Sequence, residues 1–344
     1  MEEFKVYLQR LVEGRELSEE EAAELMGLLL EGRATPAQMG ALLTAWRMRG
    51  EHWREIAGAA RALRERMVRV EHGLPGPVVD TCGTGGDAKG TFNISTAAAL
   101  VVAAAGVPVA KHGNRSVTSR AGSADVVEAL GIPLQVPPEI SSQALREVGF
   151  CFLFAPAHHP ALKEVMETRR ELGFRTIFNL LGPLCNPALA DTQVLGVFDF
   201  RLTEKMAFAL DALGARRALV VFGEGGYDEF TVTGSTKVSE LREGRITTYY
   251  VDPEDVGLEF CEAPEELLGG EAAENAQIIE DILAGKETGP KRDMVLLNAG
   301  AALYAAEKTL DLKGGVALAR KILDSGAALR KLEEIRRFFR TVCQ

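Results

Sequence analysis

The stretch Asp80-Thr81-Cys82-Gly83-Thr84-Gly85-Gly86-Asp87, followed by Asn93-Ile94-Ser95-Thr96, decides how the chain is read. It has the form of a buried strand, a glycine turn ending in an acid, and a polar step that opens a helix. Gly83, Gly85 and Gly86 let the backbone approach an anion with N–H groups turned inward. Ser95 and Thr96 stand where a helix N-cap is expected, and their hydroxyls and N–H groups suit a phosphate assisted by the helix dipole. Asn93 is placed to bond a sugar or phosphate. Asp87 suits ribose hydroxyls or a hydrated metal better than bare phosphate. The Gly-Lys-Ser/Thr ending of a P-loop is missing. Gly83 to Ala88 fits a dinucleotide fingerprint loosely. The helix, however, is expected near Ser95 rather than within the glycines, and the next strand ends in Lys111-His112 rather than in a ribose-binding acid. Taken alone, the loop is equally a tight turn and Ser95 an ordinary cap.

Outward from this stretch, strands and helices alternate. Pro77 to Cys82, Val107 to Lys111, Phe152 to Phe154, Gln193 to Phe198 and Leu219 to Phe222 read as buried strands. The segments 95–105, 121–130, 160–172 and 203–213 read as helices between them. Lys237 to Val251 reads as an antiparallel excursion, and helices dominate from Pro264 onward. This is an α/β pattern with a central, mostly parallel sheet covered by helices. Residues 1–71 are helical by period. Ser18 with Glu21 and Thr35-Pro36 with Gln38 have capping-box spacing, Leu25, Leu28 and Leu29, then Leu42, Leu43 and Trp46, form apolar stripes, and a further helix is expected over Glu51 to Met67. Trp46 and Trp53 are read as packing residues. Gly73 to Pro77 is a linker. The expected organisation is a small all-helical domain over 1–71 and an α/β domain over 77–344.

A second polar loop runs through Lys111, His112, Gly113, Asn114, Arg115, Ser116, Val117, Thr118, Ser119 and Arg120. Lys111 and Arg115 match a diphosphate, and Gly113 and Gly122-Ser123 bracket the loop with backbone freedom. Asp228-Glu229 follows a strand and a glycine turn, and adjacent carboxylates there form a hard-oxygen site suited to Mg2+ on a phosphorylated ligand. A solvated acidic turn is the alternative. His158 is read as a surface residue and His159 as a contact at a helix start. One of Arg169 and Arg170 is expected to meet a substrate carboxylate and the other to be solvated.

The 344 residues carry a net charge of −10, which disfavours nucleic acid and anionic membranes as partners. The five cysteines are scattered and lack CxxC spacing, so a zinc site or disulfide framework is not expected and a reducing cytoplasm fits. The start Met1-Glu2-Glu3-Phe4-Lys5 has no leader-like apolar run. Ala97 to Val109 is too short to span a bilayer.

At these residues the chain resembles the anthranilate phosphoribosyltransferases. The likeness lies in Gly83 to Asp87, Asn93 to Thr96, Lys111 to Ser116, Gly122-Ser123-Ala124-Asp125, His159-Pro160-Ala161, Arg169 to Gly173 and Arg175 to Pro183, and it runs over nearly the whole chain. The resemblance implies an active site at the hinge of the two domains, return of part of 160–190 to the helical domain, and a homodimer formed through that domain. It implies contacts of Gly83, Gly86, Asp87, Thr91, Asn93, Ile94, Ser95, Thr96, Lys111 to Ser119 and Ser123 with phosphoribosyl pyrophosphate. Two Mg2+ would sit on Ser95, Asp228 and Glu229. Anthranilate would meet Gly83, His112, Asn114 and Arg169, with Arg169 on its carboxylate. Lys111, His112 and Asn114 would be closest to the chemistry. Thr168, Leu162 and Tyr227 depart from residues usual in the family, and none removes a ligand group. Competing readings are a pyrimidine nucleoside phosphorylase, whose basic loop differs after Lys-His, and a non-catalytic relative that binds nucleic acid.

Overall fold

The computed structural model describes residues 2–86, 89–116 and 120–343, with the backbone alone for Glu2 and Glu3. Four helices open it: α1 (Glu2–Val12), α2 (Glu19–Leu30), α3 (Pro36–Arg49) and α4 (Trp53–Glu65). Both capping boxes form. The Ser18 hydroxyl accepts from the Glu21 N–H at 3.2 Å while the Glu21 carboxylate takes the Ser18 N–H at 2.8 Å, and Thr35 and Gln38 repeat the exchange before Pro36. Helix α4 starts later than the apolar spacing indicates, because His52 caps it by accepting the Arg54 N–H. Gly58 lets α4 cross α2 closely, since a Cβ there would run into the Glu19 carbonyl. Trp46 is fully buried and donates to Glu55 at 3.2 Å, and Trp53 stacks on Phe208.

The chain then enters β1 (Val79–Gly83), α5 (Ile94–Ala104), β2 (Val109–Gly113), α6 (Ser123–Ala129), α7 (Pro138–Glu147) and β3 (Phe150–Phe154). The connection from β3 carries α8 (Ala155–His158), α9 (Lys163–Leu172) and α10 (Phe178–Leu181) before β4 (Thr192–Gly196), α11 (Leu202–Ala212) and β5 (Arg217–Gly223). A hairpin of β6 (Thr236–Arg242) and β7 (Arg245–Val251) follows, then α12 (Ala272–Leu283), α13 (Pro290–Ala305), α14 (Leu312–Asp324) and α15 (Ala327–Val342). Helix α7 is absent from the sequence reading: it follows two prolines and carries few apolar residues. The strands form one seven-stranded sheet in the order β3-β2-β1-β4-β5-β6-β7, parallel from β3 to β5 and antiparallel beyond.

Side chains alternate between the sheet's faces. Val194, Leu219 and Val221 point into a core with α5 and α13 to α15. Leu195, Val197, Ala218 and Val220 point the other way, into a core shared with α11 and with Leu25, Leu42 and Trp46 of the first helices. Each fully buried aliphatic side chain in these layers stabilises the fold by about 1.5–3 kcal/mol. The N-terminal helices therefore share one core with the underside of the sheet. The β3–β4 connection packs there as well, with α9 on α2 and α3 and α10 on α4. The strand order reverses direction between β1 and β4, and beyond their C-terminal ends such a sheet opens its binding crevice. Among the described residues, no helix is long and apolar enough to cross a membrane.

Candidate active site

Gly83 and Gly196 end β1 and β4 side by side, and both are glycines because Asp228 lies on them. A Cβ on Gly196 would run into the Asp228 carbonyl, and one on Gly83 would stand 2.5 Å from Asp228 Oδ2. The turn after β5 bends through Gly225 and Gly226 at φ +83° and +99° and delivers Asp228 and Glu229, both half-buried, to the crevice. Gly85 donates its N–H to Asp228 Oδ2 at 2.8 Å. The distant acidic pair and the glycine loop are thus one piece of structure.

Helix α5 begins one residue earlier than expected. Asn93 occupies its N-cap position without a side-chain capping bond, and Ser95 and Thr96 lie in its first turn. Asn93 is held instead by Asn275, whose amide donates to its oxygen at 3.0 Å. Lys111 is buried and donates to the Thr81 carbonyl and, at 3.1 Å, to Ser95 Oγ. Its ammonium, matched to a diphosphate from the sequence, thus holds β1 to the start of α5. Burial pulls its pKa down, opposed by Asp80. Asp80 is fully buried, accepts from the His112 N–H at 3.1 Å and from the Asn186 amide at 2.8 Å, and is pushed up to about 6 by that burial, with Lys111 opposing. Arg115, matched to a diphosphate from the sequence, pairs with Asp125 and Glu128 of α6 at 2.6 and 2.9 Å. Gly113 and Gly122 let this loop fold tightly on Ser123 and Ser116, and the exposed Asn114 bonds the Arg115 N–H through its side chain. Ile94 and Thr96 are buried and Thr91 is half-buried. Asp87, Val117, Thr118 and Ser119 lie outside the described residues.

The other wall comes from the β3–β4 connection. His112 is buried, and its Nδ1 lies 3.1 Å from the Gly182 carbonyl. A carbonyl only accepts, so Nδ1 carries the proton and Nε2 accepts from His159 Nε2 at 3.2 Å. Burial first, then the neighbouring histidines, hold His112 well below its ordinary pKa, and burial with His158 takes His159 to about 4. Both rings are neutral at pH 7. His158, read as a surface residue, is buried and bonds the Val68 carbonyl at 2.8 Å, and His159 is equally buried. Arg169 faces inward, 5.1 Å above the Phe178 ring and with its pKa lowered by burial, whereas Arg170 is exposed.

Asp80, Asn186, His159 and Arg175 were given no role at this site from sequence. An acid inside the apolar run Val78-Val79-Asp80 signals a buried, partnered carboxylate. His159 and Arg175 lie in segments that carry the family likeness, but no residue pattern there indicates their contacts, and Asn186 has no such signal. Among the described residues no three His, Cys, Asp or Glu groups cluster to hold a metal; the Asp228 and Glu229 carboxylates are hard-oxygen donors of the kind that fit Mg2+.

Family models match both parts of the chain: a glycosyl transferase family helical bundle domain over residues 5–67 and a glycosyl transferase family α/β domain over 75–329. An anthranilate phosphoribosyltransferase of Desulfosudis oleivorans is 53% identical over 335 residues, 97% of this chain and 98% of that protein. The crystal structure of the Thermus thermophilus anthranilate phosphoribosyltransferase superposes with a TM-score of 0.92 at 50% identity, covering 97% of this chain and 99% of that one. The Saccharomyces cerevisiae enzyme in complex with phosphoribosyl pyrophosphate and Mg gives 0.89 at 28% identity, covering 98% of each.

Proposed function

Because the chain belongs to the anthranilate phosphoribosyltransferase family, we propose that it transfers the 5-phosphoribosyl group of phosphoribosyl pyrophosphate to the amine of anthranilate. The products are N-(5-phosphoribosyl)anthranilate and pyrophosphate, in tryptophan biosynthesis. The observation that carries this reading is the joining of the glycine loop to Asp228 at the β1–β4 switch point, opposite a neutral histidine pair and an inward arginine.

In this reading the glycine loop, Asn93 and the first turn of α5 bind the phosphorylated sugar, with Ser95 oriented by Lys111. The loop N–H groups and the α5 dipole stabilise charge on the departing diphosphate. Asp228, Glu229 and Ser95 offer hard oxygens for Mg2+, two ions per subunit, which when bound would neutralise that charge. Arg169 takes the anthranilate carboxylate and Asn114 helps to orient the ring. The amine attacks C1 with inversion, through a transition state of oxocarbenium character. An arylamine is already uncharged at neutral pH; the proton it sheds after attack passes to water or to the departing pyrophosphate, and His112 takes it only by giving up the bond that its Nε2 accepts from His159. Exposed Val6, Val12 and Met48 on α1 and α3 support a homodimer through the helical region, which sedimentation would test. Five unpaired thiols support a cytoplasmic setting.

Anthranilate fluorescence tests the reaction. The signal should fall only when phosphoribosyl pyrophosphate and Mg2+ are both present, and a steady signal in the complete mixture would overturn the reading.

A further inference from the structure

Arg175 has no part in the scheme above, yet it touches both walls of the crevice. It lies between α9, which carries Arg169, and α10, which carries Phe178 beneath that arginine. Its guanidinium donates to the Gly86 carbonyl and rests 4.0 Å above the ring of Phe198, just beyond β4. That ring belongs to the frame of the glycine loop. The Phe198 N–H donates to Thr84 Oγ1 at 3.1 Å, and the Thr84 N–H to the Gly196 carbonyl at 2.9 Å. Gly86 stands at φ +74°, and a Cβ on it would meet the Arg175 Nη2 at 2.9 Å. The Gly85–Gly86 turn is therefore held from two sides, by Asp228 on the Gly85 N–H and by Arg175 on the Gly86 carbonyl.

We infer that Arg175 is a positioning residue that sets the glycine loop for the diphosphate and ties that setting to the segment holding Arg169. The inference rests on the transferase reading. A planar guanidinium suits the task because it stacks on an aromatic face while donating in its own plane. A lysine at the same place keeps a donor for the carbonyl and loses the planar stack.

Steady-state kinetics of Arg175→Met and Arg175→Lys in the full chain test this. The methionine variant should raise KM for phosphoribosyl pyrophosphate about tenfold, with kcat and KM for anthranilate moving less than about threefold, the pattern of lost uniform binding. The lysine variant should recover part of the loss. Calorimetric titration with phosphoribosyl pyrophosphate and Mg2+ should show the same difference in Kd without relying on turnover. If Arg175→Met fails to fold, Phe198→Leu should raise the same KM and Kd by about threefold. An unchanged Kd and KM, or a loss confined to kcat, overturns the inference. A wild-type chain that leaves anthranilate unconsumed overturns the transferase reading instead, and the Kd comparison still decides the role of Arg175.

Discussion

The two walls of the crevice are made of different material. The side proposed for the diphosphate is backbone and buried charge: glycines at the ends of β1 and β4, the Asp228 carboxylate on a peptide N–H, and Lys111 and Asp80 enclosed beneath. The side proposed for the acceptor is made of side chains, most of them on a connection that leaves the sheet: Arg169 over a phenyl ring, and His159, which meets His112 at the end of β2 in a neutral pair. A wall of backbone tolerates almost no change of residue, because its geometry excludes a Cβ. A wall of side chains can be retuned for a different acceptor while the sheet stays as it is.

Charge reversal at Asp228 should give the largest effect. Asp228→Lys removes the acceptor of the Gly85 N–H and a proposed metal oxygen, and puts a cation where a carboxylate stood. Turnover should fall by about 1,000-fold or more, with the far-UV spectrum unchanged. Retained turnover would remove Asp228 from the chemistry. Gly83→Ala is the subtler attack on the same wall. The backbone at Gly83 is not left-handed, so alanine is not strained there, but its Cβ would meet Asp228 Oδ2 at 2.5 Å and Cγ at 3.0 Å. The short Asp228 side chain must move, and kcat/KM should fall by about 100-fold.

The acceptor wall responds differently to Arg169→Gln. KM for anthranilate should rise by about thirtyfold while KM for phosphoribosyl pyrophosphate holds, because a charge-assisted carboxylate contact is lost and the other wall is untouched. Equal movement of both constants would mean that the walls are not separable and would put Arg169 in a structural role.

The same division separates what the sequence makes legible from what it hides. The glycine loop, the acidic pair and the alternation of strands and helices depend on local backbone rules, and those rules are written in residue type: glycine where a neighbour leaves no room, serine and threonine where a helix starts. The β6–β7 hairpin and both capping boxes are read the same way. Long-range packing is not written locally. His158-His159 reads as a polar pair at a helix start, and only the return of the β3–β4 connection to the first helices buries it. Lys111 and Arg115 look alike in a basic loop, yet one is enclosed under α5 and the other is spent on α6. Arg175 opens a segment that carries the family likeness, but nothing in that segment names its partner, a carbonyl 89 positions away.

The walls should also titrate with opposite sign, and this is the smallest effect and the closest test of the comparison. His159 is lowered from 6.5 to about 4, so between those values the unfolded chain binds the proton that the folded chain refuses. Its contribution to stability is complete above pH 6.5 and is lost as the pH falls toward 4. Asp80 is raised from 3.8 to about 6. Here the folded chain takes up the proton first, so stability is gained as the pH falls from 6 toward 4. Chemical denaturation at intervals across pH 4–6.5 should show Asp80→Asn losing stability more steeply than the wild type, and His159→Asn less steeply. Each slope should differ from the wild type by about 1–2 kcal/mol over the window. Deviations of the same sign in both variants would mean that the two walls share one electrostatic environment. Opposite deviations would mean that buried charge underlies one wall and neutral imidazole the other.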